Sequence, residues 1–252
     1  MTVLGVPLVF DSLPQWIGAC LILVLAEGVY VSFGFGSGLI AVGLMALVMD
    51  GLRDVVVILL LVNIPVEFLV VASSRRMVQW KGVTLAALGL LLGVPAGTWL
   101  LGFGNPSFLL FYLAVFLMAA GLAFLLVPEG KSFRVPPWTG FPMGLSSGVL
   151  AGLFGTGGPP VILYYQLSGA AKSVFRGNLM ALFFFTTLVR TPTYLAGGLI
   201  TPPRIWSALA VLPAVGLGAW LGNRVHIRLS ETAFRRLVSV LLVLLGLGLL
   251  LR

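Results

Sequence analysis

Charged side chains are scarce in this sequence. Only 9% of the 252 residues are charged and 60% are hydrophobic, and the mean hydropathy is +1.13, whereas a water-soluble domain carries about 25% charged residues. This scarcity excludes an ordinary soluble domain. Because a bilayer requires about 20 apolar residues for each spanning helix, the chain has room for roughly eight spans and no separate catalytic domain.

Cysteine and histidine are almost absent. The single cysteine, Cys20, has no partner for a disulfide within the chain, and the single histidine, His226, lies in a basic loop. Neither residue completes a metal site or a catalytic triad, and no HExxH, Walker A or dinucleotide motif is present. The sequence therefore predicts no metal, no cofactor and no enzymatic activity.

Basic residues outnumber acidic ones, 15 against 7, and give a formal charge of +8. They lie in short loops between apolar runs, which indicates contact with anionic lipid and not with nucleic acid. The first apolar run follows Asp11 and no basic residue, so we expect a permanent membrane segment and not a cleaved signal peptide. The predicted location is a bacterial-type cytoplasmic (inner) membrane, crossed several times.

Ten apolar runs follow one another, and the second, sixth and seventh are too short to span a bilayer. A glycine-rich break joins the first run to the second, and another joins the sixth to the seventh. FGSG, beginning at Phe35, aligns with FGTG, beginning at Phe154, at an offset of 119 residues, and GTWL from Gly97 aligns with GAWL from Gly218 at an offset of 121. We therefore predict two related repeats, 1–130 and 131–252, in one integral membrane domain.

The positions of the basic residues bear on how these repeats face. If each break is a kink in a full span, the repeats are parallel and seven basic residues lie on each side. If each break is the tip of a hairpin, the repeats are inverted and the count is eleven against three. Lys and Arg are enriched in cytoplasmic loops, which favours inversion, although the run from Trp16 to Phe33 is long enough to span. The predicted fold is all-α and polytopic, with two inverted repeats, each a broken-helix hairpin plus three transmembrane helices.

The breaks are candidates for a substrate site. Irregular backbone persists at membrane depth only where it is buried in protein or lines a polar cavity, and a helix that restarts after glycine presents free N–H groups to an anion. Pro159 or Pro160 fits the first turn of the second half-helix. The alternative is that the hydroxyls of the two breaks merely cap helix ends. The substrate-binding candidates are Gly36, Ser37, Gly38, Gly155, Thr156, Gly157, Gly158, Arg176, Asn178 and Arg190.

Three charged side chains lie within apolar runs. Arg190 is costly there unless it pairs or faces a polar cavity, and its planar fork suits the oxygens of a sulfonate. The alternative is that Arg190 snorkels to the outer membrane surface. Glu67 and Glu27 are candidates for proton coupling, and a structural pairing of Glu67 with an arginine is equally open.

The stretch GTGGPPVILYY from Gly155, followed by FRGN from Phe175, resembles the sulfite exporter TauE/SafE family, and GSG from Gly36 resembles that family's paired glycine motif more loosely. The resemblance implies transport, with export expected, of sulfite, sulfoacetate, thiosulfate or related organosulfonates across the cytoplasmic membrane. Leu39 stands where the family's third glycine is usual, which argues against a symmetric substrate site.

The expected partners are a small anionic sulfur compound and the lipid bilayer, and a homo-oligomer stays open. Two alternatives to this function also remain. One is a non-transporting membrane assembly or partner-binding protein, in which the glycine breaks serve only helix packing. The other is a transporter or channel for a different small anion.

Overall fold

The chain folds into ten α-helices within the residues that the computed structural model describes, which are 2–3, 6–33, 36–74, 77–126, 135–169, 171–224 and 231–251. The helices of the first half are α1 Leu13–Phe33, α2 Ser37–Val48, α3 Leu52–Ser74, α4 Trp80–Phe103 and α5 Pro106–Leu126. Those of the second half are α6 Gly140–Phe154, α7 Gly158–Leu167, α8 Lys172–Ala196, α9 Pro202–Arg224 and α10 Glu231–Leu250. Two short strands, β1 Thr2–Val3 and β2 Val6–Pro7, pair antiparallel ahead of α1.

The predicted all-α polytopic fold is confirmed. Five helices, α1, α4, α5, α8 and α9, are long and apolar enough to span a membrane. The second, sixth and seventh apolar runs form short helices of 12, 15 and 10 residues, as the sequence predicted. Part of the first break, at 34–35, and His226 lie outside the described residues.

The chain forms two compact units that combine helices of both sequence halves. The first unit contains Met1–Val62, Gly104–Val127 and Ile200–Arg252, and the second contains Asn63–Phe103 and Pro128–Leu199. The predicted repeat boundary at 130/131 lies outside the described residues and stays a prediction.

In the first unit, α1 and α2 form a hairpin. The side-chain Nε2 of Gln15, near the start of α1, donates to the backbone oxygen of Val48, the last residue of α2, over 3.0 Å. Helix α1 also runs parallel to α9, because Val24 lies against Gly218 and, one turn later in both helices, Gly28 lies against Gly222. The absence of side chains at the glycines allows the two backbones to approach closely, as expected for helices packed within a membrane.

The same unit packs α5 antiparallel to α10. A Cβ atom on Gly121, late in α5, would lie 2.6 Å from the carbonyl oxygen of Ser239, early in α10. A Cβ atom on Gly246, late in α10, would lie 2.6 Å from the carbonyl oxygen of Ala114, early in α5. The residue numbers therefore rise in opposite directions along this contact.

In the second unit, α6 lies parallel to α4 along a row of glycines. Gly93 packs against Gly148, where a Cβ on one would lie 3.0 Å from the Cα of the other, and Gly97 packs one turn further along. The missing side chains at these glycines let the two backbones approach closely. Helix α8 also runs parallel to α4, because Gln79 meets Asn178 at the start of both helices and Thr98 meets Thr193 near their ends.

Candidate functional site

The second unit contains a sharp interruption between α6 and α7. Helix α6 ends at Phe154, and its C-cap is Gly155, whose φ of 76° and ψ of 4° lie in the left-handed region that favours glycine. Helix α7 restarts at Gly158, with Gly157 as its N-cap, and the prolines at 159 and 160 occupy its first turn as predicted. In the first unit Gly36, which is 119 residues earlier, also adopts the left-handed conformation, with φ of 95°. The two aligned glycines thus interrupt their helices with the same backbone conformation.

The carbonyl groups around the second break are occupied by donors of the protein. The hydroxyl of Tyr194 donates to the oxygen of Gly152 over 2.7 Å, Nη1 of Arg190 donates to the oxygen of Gly155 over 3.4 Å, and Oγ of Ser147 donates to the oxygen of Gly157. These hydrogen bonds satisfy the carbonyl oxygens at the break.

The amide groups of the same break are not occupied in this way. Within the part of the chain that the structure describes, the N–H groups of Thr156, Gly157 and Gly158 meet no acceptor. Buried N–H groups are seldom left without an acceptor in folded proteins, and successive free N–H groups form a concavity that binds anions. The Thr156 side chain is also buried, so its hydroxyl belongs to the same interior surface.

Arg190 lies in α8 and reaches the break from the side. Only 4% of its surface is exposed, its Nη2 lies 3.3 Å from the hydroxyl of Tyr194, and its Cζ lies 4.9 Å from the centre of the Tyr194 ring. Because the guanidinium is enclosed by protein groups, the alternative that it snorkels to a membrane surface does not fit. Its positive charge stands at the C-terminal end of α6, where the helix dipole is negative.

A carboxylate lies near this arginine. Glu67, in the part of α3 that belongs to the second unit, is close enough to Thr187 and Arg190 to interact with both. Its Oε2 atom is buried and meets no hydrogen-bond donor among the described residues. The cluster at the second break therefore holds one cation and one carboxylate within the second unit.

Two further candidates on α8 lie away from this cluster. Oδ1 of Asn178 accepts the backbone N–H of Gln79 over 2.8 Å and so fastens the segment before α4, and Arg176 is exposed. At 1.5 Å per residue, Asn178 and Arg176 stand about 18 and 21 Å along the helix from Arg190. Asn178 is thus accounted for by a structural contact.

The remaining candidates belong to the first unit. Gly36 precedes α2, Ser37 and Gly38 form its first turn, and Ser37 is buried. Glu27 is buried in α1, with 2% of its surface exposed. The idea that both breaks contribute to one substrate site stays a prediction.

Sequence reasoning missed three residues of the cluster, Tyr194, Ser147 and Gly152. Tyr194 could have been found, because a residue four positions after Arg190 lies on the same face of a helix. Ser147 and Gly152 carry no comparable signal, since their roles depend on how α6 packs. Among the described residues, no three His, Cys, Asp or Glu side chains are grouped to hold a metal ion.

The chain matches a known protein family over most of its length. The sequence profile described as Sulfite exporter TauE/SafE matches residues 19–249. The chain belongs to this family. It is therefore a membrane transporter and not an enzyme, as the sequence predicted.

Two relatives from the family are similar over most of their length. The chain is 27% identical, over 222 residues, to a protein of Cupriavidus necator named "Probable sulfite/organosulfonate exporter TauE", and the match covers 86% of this chain and 87% of the relative. It is 26% identical, over 193 residues, to "Probable inner membrane transporter protein TsaS" of Comamonas testosteroni, with 76% and 81% covered. No solved structure gives a significant match. The predicted multi-pass location in the inner membrane agrees with these findings.

Proposed function

We propose that this protein is a secondary transporter that exports small sulfur oxyanions, such as sulfite, sulfoacetate, thiosulfate or related organosulfonates, and holds them at the break between α6 and α7. The observation that carries the proposal is a difference between the backbone groups at that break: within the described part of the chain, the carbonyls have hydrogen-bond partners and the N–H groups do not. Three carbonyls are bonded to Tyr194, Arg190 and Ser147, whereas three successive N–H groups have no acceptor among the described residues. Such a surface favours an acceptor-rich, negatively charged ligand and disfavours a cation.

The chemistry of a sulfur oxyanion matches these groups. A sulfonate or sulfite presents three oxygens around one sulfur, and each oxygen accepts hydrogen bonds without donating any in the ionised form. The amides at 156–158, the Thr156 hydroxyl and the guanidinium fork of Arg190 all supply donors, and a planar fork binds two oxygens at once. The name of the Cupriavidus necator relative, which refers to sulfite and organosulfonate export, supports the same class of substrate.

Proton coupling is the second part of the proposal. Glu67 lies near Arg190, so a bound anion and this carboxylate would compete for one positive charge. If Glu67 takes a proton when the anion binds, the buried site avoids an uncompensated negative charge, which is costly in low dielectric. One proton would then accompany each singly charged anion.

The arrangement of helices supports the inverted, hairpin form of the repeats. Helices α5 and α10 end the two sequence halves and pack antiparallel, as an inversion requires, whereas parallel repeats would make them run the same way. In the parallel layout α4 and α8 would be antiparallel, yet their contacts run in parallel. The hydrogen bond from Gln15 to Val48 likewise joins the two ends of the first hairpin. We therefore propose alternating access by movement of one repeat against the other.

The proposed function is tested by flux of labelled sulfite and sulfoacetate in proteoliposomes. We expect Thr156→Ala and Arg190→Ala to lower the flux at least tenfold, because each loses donors to the anion, about 1.4 kcal/mol or more. Thr84→Ala is the control, since it makes the same substitution at an exposed position on α4, where the Thr84 hydroxyl donates to the carbonyl of Trp80. Flux that survives both site substitutions would remove the site from this break.

A further arm of the same assay tests the proton. In wild type, an imposed pH gradient should accelerate flux in one direction and oppose it in the other. In Glu67→Gln, which is neutral at every pH, we expect flux that no longer responds to the gradient. A retained response would show that Glu67 does not carry the proton.

A further inference from the structure

Among the described residues, the Tyr194 hydroxyl contacts polar groups only at the second break. Tyr194 is completely buried, with 0% of its surface exposed, and stands one helical turn after Arg190 on α8. Its hydroxyl lies 2.7 Å from the oxygen of Gly152 and 3.3 Å from Nη2 of Arg190. The same side chain therefore touches both the end of α6 and the guanidinium.

The direction of these hydrogen bonds is fixed by counting protons. A phenol has one O–H donor, and an arginine has donors only. The Tyr194 proton must go to the carbonyl of Gly152, because that oxygen has nothing to donate, and the phenol oxygen must accept from Arg190. Reversal is impossible, so the phenol oxygen meets the guanidinium only as an acceptor.

The position of the Gly152 carbonyl is itself fixed by packing. It is among the last carbonyls of α6, which find no partner inside their own helix, and Tyr194 supplies the missing donor. A Cβ atom on Gly152 would lie 2.8 Å from the backbone nitrogen of Thr98, so α6 is seated directly on α4 at this point. A chain of contacts therefore runs from the packing of α6 on α4, through Gly152 and Tyr194, to Arg190.

The ring adds a second constraint on the guanidinium. The Cζ atom of Arg190 lies 4.9 Å from the ring centre, within the range of a cation–π interaction, which favours a cation over the aromatic face. Hydroxyl and ring together hold the arginine at the break, where Nη1 meets the oxygen of Gly155. A long side chain with several rotatable bonds would otherwise sample many orientations.

We propose that Tyr194 is the positioning residue of the anion site, and that it acts by holding the guanidinium of Arg190 in the orientation that binds a sulfur oxyanion. This inference rests on the proposed function. It differs from a purely structural role, in which the hydroxyl only caps the end of α6. A structural cap contributes to folding, whereas a positioning contact contributes to the affinity for the anion.

Tyr165 provides a matched control for this distinction. Its hydroxyl also donates to a backbone carbonyl, that of Gly82, over 2.9 Å, within the same unit. Tyr165 is buried as well, but its bond lies near the start of α4 and does not involve Arg190. Tyr194→Phe and Tyr165→Phe therefore remove the same type of bond, and only the first removes a contact with the arginine.

The test measures initial flux of sulfite and of sulfoacetate against concentration in proteoliposomes, together with the thermal stability of the purified variants. We expect Tyr194→Phe to raise KM about tenfold with a smaller change in kcat, because a hydrogen bond to a charged group is lost while the ring remains. We expect Tyr165→Phe to leave KM within about twofold of wild type. Their melting temperatures should fall by similar amounts, since each leaves one carbonyl without its donor.

Three results would overturn the inference. An unchanged KM in Tyr194→Phe, with flux in wild type, would assign Tyr194 to folding alone. Equal KM values in the two variants would show that the effect is not specific to Arg190. Absence of flux in wild type would remove the proposed function itself, which separates that failure from the first two.

A second variant serves if Tyr194→Phe does not fold. Replacing Tyr194 by 3,5-difluorotyrosine keeps the shape and the O–H group but makes the oxygen a poorer acceptor and the hydroxyl a better donor. The bond to Gly152 is retained and the one from Arg190 is weakened, so KM should still rise. An unchanged KM in this folded variant would contradict the positioning role.

Discussion

The glycine contact between α1 and α9 predicts opposite effects for the same substitution at two neighbouring positions. A Cβ atom on Gly218 would lie 2.5 Å from the carbonyl oxygen of Val24, against 3.4 Å for ordinary contact, so the helices must separate by about 0.9 Å in Gly218→Ala. Gly216, two residues earlier, has nothing within 4 Å of its Cβ position. The two variants thus add one methyl group to one helix, either inside the contact or outside it.

The magnitudes follow from these two environments. Overpacking of a close contact costs about 1 to 3 kcal/mol, whereas alanine in place of an unconstrained helical glycine gains up to about 1 kcal/mol. Because the gain in helix propensity is common to both variants, they should differ by the overpacking cost of about 1 to 3 kcal/mol, which for a chain of this size corresponds to roughly 2 to 12 °C in melting temperature. Thermal unfolding of the detergent-purified variants, followed by circular dichroism, measures this difference. Equal melting temperatures would refute the close backbone approach on which the reasoning depends.

Two further predictions concern the first unit. In a Cys20→Ser background, a short bifunctional thiol reagent should join the cysteines of the double variant Gln15→Cys, Val48→Cys, because the hairpin brings the start of α1 next to the end of α2. If α1 and α2 formed one kinked span, about 30 Å of bilayer would separate the two cysteines and prevent the reaction. Asp54→Asn should lower the melting temperature by about 2 to 4 °C, since the pair of Asp54 Oδ1 with Arg204 Nε at 2.6 Å is only partly exposed and such a bond contributes about 1 kcal/mol. Purely additive losses from Asp54→Asn and Arg204→Gln would show that the two side chains are not coupled.

Much of the candidate site followed from local patterns in the sequence. The interruption of the helices at Gly36 and Gly155, which the left-handed conformation of both glycines accompanies, and the prolines in the first turn of α7 depend on residues adjacent in the chain. The motifs FGSG and FGTGGPP were therefore enough to predict the two breaks and the position of the prolines. Arg190 was predicted as a site residue because a charged side chain in an apolar run is costly unless it pairs or faces a polar cavity. Asn178 attracted attention for the same kind of reason and proved to fasten the segment at Gln79. A polar residue in an apolar run therefore indicates a buried contact but not which contact.

The sequence by itself determined that this chain is an all-helical membrane protein with two interrupted helices, because hydrophobicity, helix length and glycine conformation are local properties that a short stretch specifies. Only the tertiary structure decided that α6 packs on α4 and that α1 packs on α9. Each of these pairs joins a helix of the first sequence half to a helix of the second. The tertiary structure also decided that Tyr194, Gly152 and Arg190 form one hydrogen-bonded chain. The physical reason is that one apolar helix surface suits many partners, and the choice among them rests on the close fit of backbones at glycine, a contact between residues far apart in the sequence.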